Sequence, residues 1–125
     1  MYRRDAEKLL KELNDGRFIT NEMFQGLDIA SYLDKRDDSA FADEWMSAYQ
    51  RWVQDADSIA EEELLRASRE QAFKQTLRHT GDPELAGYVS DDIGLIGAAM
   101  LQGESEHTFV SQLLESYHNG KLPLQ

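Results

Sequence analysis

The chain has no cysteine, which excludes a disulfide framework, thiolate chemistry and cysteine-ligated zinc, and it fits a reducing compartment. Proline is scarce: Pro83 and Pro123 are the only two, so helices meet few breakers. No segment sustains the period-2 alternation of a half-buried strand. Long apolar runs are missing as well. The longest, Ile93 to Leu101, is nine residues, whereas a membrane span needs about 20. No basic segment followed by an apolar run opens the chain, so a soluble, cytoplasmic protein is expected, with no membrane partner.

Positive charge is also in short supply. Thirteen Lys and Arg stand against 24 Asp and Glu, a net charge of −11. From Gln25 to Glu63 there are eleven acids and three bases, and from Asp82 to Glu106 six acids and no base. Nucleic-acid binders need clustered Lys and Arg to displace counterions, so no nucleic-acid partner is expected. The same field attracts a basic protein and speeds encounter with it.

What is present is helical pattern throughout 125 residues, one domain's worth of chain. The expectation is an all-α, compact single-domain bundle of about five to seven helices. A first helix runs from Arg4 to Asn14 with Leu9, Leu10 and Leu13 on one face, ended by Asp15-Gly16. Thr20 or Asn21 caps a second carrying Met23, Leu27, Ala30 and Leu33, which ends in a charged KRDD connector. Ser39 caps a third, whose stripe of Phe41, Trp45, Tyr49 (or Ala48), Trp52 and Ala56 has helical spacing, its aromatics reading mainly as core. Ser58 and Glu61 form a capping box for a fourth, which Gly81 stops.

Asp82-Pro83-Glu84 is a strong helix start: a capping aspartate, proline in the first turn and an acid beside it. A short helix is expected to reach Gly87 or Tyr88. Ser90-Asp91-Asp92 reads as a second cap, opening the apolar run with Ile93, Ile96 and Met100 inward. Asp91 and Asp92 are thus expected to cap and do no chemistry, and replacing both by asparagine is expected to cost little. Gly94 and Gly97 each cost about 1 kcal/mol in a helix relative to alanine, and make sense if a neighbour packs on that backbone. The final helix is expected from Glu104 to Asn119, with His118-Asn119-Gly120 as its end.

Catalytic and metal constellations lack partners. The pairs Glu104/His107 and Glu115/His118 fall on one predicted helix, about 16 Å apart at 1.5 Å per residue, and cannot share one metal centre. The acids Asp37, Asp38, Asp43 and Glu44 lack the alternating ligands and central glycine of a calcium loop. No phosphate-cradling loop or nucleophile elbow occurs. No catalytic residue, metal or cofactor is expected.

The segment TGDPELAGYVSDDIGLIGAAMLQG, with the closing YHNGKLP, resembles the C-terminal part of small acidic helical proteins found among bacterial toxin-immunity proteins. The resemblance implies a binder of a cognate toxin, often a nuclease or other basic effector. The expected function is therefore non-enzymatic: an immunity protein neutralising a toxin by direct binding. Its expected surface is the acidic patch of Asp37, Asp38, Asp43 and Glu44, with Trp45 and Trp52 as aromatic anchors. The alternatives are a small helical enzyme or metal-binding bundle, and an oligomerising structural subunit.

Overall fold

The computed structural model describes residues 3–52, 59–102 and 109–125. Six α-helices occur among them: α1 (Arg3–Asn14), α2 (Ile29–Arg36), α3 (Ser39–Trp52), α4 (Ile59–Thr80), α5 (Pro83–Leu101) and α6 (Phe109–His118). A 3₁₀ turn, Asn21–Phe24, lies between α1 and α2, and the described residues contain no strand. No helix among them is long and apolar enough to cross a membrane.

α5 is the hub. α4 lies along it, α1 packs on both, and α3 and α6 pack on α5 and on each other. Its buried residues point in every direction around the axis, from Leu85, Ala86 and Val89 through Ile93, Leu95 and Ile96 to Ala99. Ile96 is buried as expected, and Met100 is partly so. Around α5 the core is completed by Leu9, Leu13, Phe18 and Ile19 near α1, and by Val110, Leu113, Tyr117 and Leu122 near α6.

Local chemistry explains where elements start and stop. Asp82 caps α5 as expected, its carboxylate accepting from the Leu85 N–H at 3.0 Å. The expected second helix is divided instead: Gly26, at φ +70°, turns the chain after the 3₁₀ segment, a conformation L side chains adopt reluctantly. Asp28 then caps α2 through the Ser31 N–H. The cap of α3 is Asp38 rather than Ser39, since its carboxylate accepts from Ala40 N–H at 3.0 Å and Ser39 is already helical. Ser58 of the expected capping box, and Glu104 to His107 of the expected last helix, lie outside the described residues.

The largest departure is at Ser90-Asp91-Asp92. No helix begins there; α5 runs unbroken from Pro83 to Leu101, and Gly87 and Tyr88 sit inside it. The Ser90 hydroxyl is occupied elsewhere, donating to the Arg69 carbonyl of α4 at 3.1 Å. A cap needs a helix end with free N–H groups, and mid-helix there are none.

The glycines of α5 let α4 approach. A Cβ added at Gly97 would stand 2.7 Å from Leu65 Cδ2, and one at Gly94 2.7 Å from Arg69 Cδ. These neighbours differ in freedom, since Arg69 is exposed and Leu65 is half-buried against α5. Gly94→Ala is therefore expected to be neutral or to stabilise by up to about 1 kcal/mol through helix propensity. Gly97→Ala is expected to destabilise by about 1–2 kcal/mol through overpacking. Urea unfolding of the two single variants checks this, and equal effects would refute the packing argument.

Candidate partner-binding site

The polar centre of the molecule is Asp92. Its side chain is fully buried, and four donors converge on it from three other helices. Arg36, at the end of α2, grips it with both terminal nitrogens, Nη1 to Oδ2 at 2.8 Å and Nη2 to Oδ1 at 2.7 Å. The Trp45 indole of α3 donates to Oδ1 at 2.9 Å and the Tyr117 hydroxyl of α6 to Oδ2 at 2.6 Å. Arg36 Nη1 also lies 3.3 Å from the Tyr32 hydroxyl. Two-pronged, charge-assisted geometry of this kind is what allows an ion pair to leave water.

Electrostatics follows from that burial. Desolvation works against the Arg36 charge, but the pull of Asp92 and its hydrogen bonds outweighs it and holds the guanidinium well above its ordinary pKa. Burial pushes the Tyr117 phenol well up, with the Asp92 charge adding to the effect. Tyr32 is pushed up to about 12, again chiefly by burial, with Arg36 opposing.

The guanidinium is also sandwiched. Its central carbon lies 5.0 Å from the Phe41 ring centroid and 5.1 Å from that of Tyr88, within cation–π range. Tyr88 in turn donates to Asp37 at 2.6 Å. The clamp thus fixes the end of α2, the first half of α3 and the middle of α5 as one surface. That surface carries a groove of about 250 Å³ lined by Arg36, Asp37, Phe41, Ala42, Trp45, Met46, Tyr88 and Asp91.

The chain matches a family model described as Immunity protein PIM1 over residues 8–124. It belongs to that immunity-protein family. No curated protein matches the chain.

The matched span covers every residue of the family member's clamp and groove. It also covers the residues singled out in the sequence, whose positions divide. Asp37 and Trp45 line the groove. Asp38, Asp43 and Glu44 are exposed near it, at and after the start of α3. Trp52 is half-buried at the far end of α3, where its carbonyl accepts from the Gln102 amide. The stripe on α3 runs inward through Ala48, which is buried, and not through Tyr49. Phe41, Trp45 and Trp52 pack against the core while Tyr49 is 41% exposed, stacked on Trp45 at 5.6 Å.

Arg36, Tyr88, Tyr117 and the buried role of Asp92 escaped the sequence reading. One signal was available: in a continuous helix from Pro83, Asp92 falls on the stripe Leu85, Val89, Ile96 and Ala99, where a carboxylate demands a buried cation. Among the described residues no group of three or more His, Asp or Glu is placed to hold a metal. His118 instead faces Glu12 at 3.6 Å.

Proposed function

We propose that the chain neutralises a cognate bacterial toxin by binding it directly, without chemistry of its own, through the acidic surface formed by the end of α2 and by α3. Membership of an immunity-protein family supports this role. The observation that carries the surface is apolar exposure amid acid: Met46 is 49% and Tyr49 41% exposed on the same helix as Asp43 and Glu44. Large side chains left in water beside charges of one sign suit a partner that covers the first and complements the second. A net charge of −11 favours a basic partner.

Surface acids act mainly on encounter, so the test is kinetic. Asp37 and Asp38 make poor targets for charge reversal, because one holds Tyr88 and the other caps α3. Asp43→Lys with Glu44→Lys is expected to slow association with the toxin about tenfold at low salt, the difference closing as salt rises. Melting should shift by no more than about 2 °C. Met46→Ala and Tyr49→Ala should instead speed dissociation. Association indifferent to both salt and the reversals would reduce the acidity to a solubility device.

A further inference from the structure

We infer that the groove beside the clamp receives one arginine or lysine side chain of the toxin. This rests on the binding surface proposed above and names what that surface recognises. The groove, at about 250 Å³, falls below the roughly 300–1,000 Å³ of small-molecule sites, and suits a single long side chain. Its walls are Phe41, Ala42, Trp45, Met46 and Tyr88, an apolar lining that the methylene stem of a basic residue covers.

Charge selects the head group. Arg36 stands in the wall, but its charge is matched by the bidentate Asp92 carboxylate behind it. Among the lining residues Arg36 keeps one buried N–H, at Nε, without a partner, and the carboxylates are Asp37, fixed by the Tyr88 hydroxyl, and Asp91. Desolvation raises the Asp91 carboxyl above its usual range, the Asp92 charge adds to this, and Arg69 and Arg36 offset it in part. The groove therefore disfavours further negative charge. An anion would meet two carboxylates, and a purely apolar group would strip them of water without replacing it. A cation satisfies both, with aromatic faces beside it.

The probe is n-butylguanidinium chloride, titrated into ¹⁵N-labelled protein against n-butylurea and pentanoate at matched ionic strength. The Trp45 indole N–H and the amides of Phe41 to Met46 and of Tyr88 report. Expected are saturable shifts with the guanidinium alone, weakened about twofold to fivefold in Asp91→Asn, with a similar loss of toxin affinity in that variant. No saturation, an equal response to butylurea, or preference for pentanoate overturns the proposal. So do shifts that track protein concentration with a doubled mass in sedimentation, since a second copy would then fill the groove. Asp43 and Glu44 do not line the groove, so the two ideas can fail separately. Weakening by Asp91→Asn without any effect of the α3 reversals keeps the groove and sinks the surface. The converse pattern sinks the groove.

Discussion

Asp92→Asn is expected to destabilise the protein by about 3–5 kcal/mol, the range for breaking a buried ion pair by removing one partner. Against a total of about 5–15 kcal/mol for a domain, that is about a fifth of the stability or more. The substitution leaves the Arg36 guanidinium charged and buried, with only 2% of its side chain exposed. It also turns an amide N–H₂ toward donors, because all four groups around the carboxylate donate. Arg36→Met combined with Asp92→Leu should recover part of the loss by removing both charges. Recovery stays incomplete, since the Trp45 and Tyr117 donors then lack an acceptor at about 1–3 kcal/mol each. Urea unfolding of the single and double variants measures this. A single variant within about 1 kcal/mol of the parent, the ordinary effect of a point mutation, would show that the clamp does not hold the fold. The sequence-based expectation that asparagine costs little here rests on a helix cap, and α5 runs unbroken through Asp92.

Alkaline pH is expected to unfold the protein well before its arginines titrate. In the unfolded chain Tyr32 and Tyr117 ionise near pH 10, as free phenols do. In the fold, burial pushes Tyr32 up to about 12 and Tyr117 well above its ordinary value. The folded state thus holds protons that the unfolded state has released, and stability falls as pH rises. It is undiminished below pH 10. Above that each phenol lowers it by up to about 1.4 kcal/mol per pH unit, so Tyr32 alone accounts for about 2–3 kcal/mol by pH 12. Phenolate absorbance near 295 nm, followed with helical circular dichroism, should rise in a late step that coincides with loss of helix. Tyr32→Phe should make that pH dependence shallower by about one proton. Full phenolate absorbance near pH 10, with the helices intact, would contradict the burial of both rings.

The legible parts of the fold are those written in neighbouring residues. Asp82-Pro83 starts α5, Gly81 ends α4, and Asn119-Gly120 closes α6, each because a helix end needs local partners or a local change of backbone. The glycine-bearing run lies in the central helix, since apolar residues on all sides require neighbours on all sides. The site was legible as surface charge and as Trp45, but not as the clamp. Asp91-Asp92 before an apolar run has the composition of a cap, and Arg36 sits in KRDD, which has the composition of a solvated connector. Nothing local says that these two side chains point at each other. Only the register of an uninterrupted α5 carries that information, and it becomes visible once Ser90 is seen to bond α4 rather than start a helix.

Arg36 and Asp92 are separated by 56 positions along the chain, with the whole of α4 between them. Meanwhile α4 and α5 are adjacent across Gly81 and can pair after closing only a short turn. Bringing the ends of the longer segment together costs entropy that grows with its length, and the ion pair cannot form until its dry surroundings exist. The clamp is therefore expected to form on the far side of the folding barrier. The same Asp92 variants should refold at nearly the parental rate and lose their stability through faster unfolding. For a protein that must hold its partner, this makes the clamp a determinant of how long the surface lasts once formed, more than of how quickly it forms.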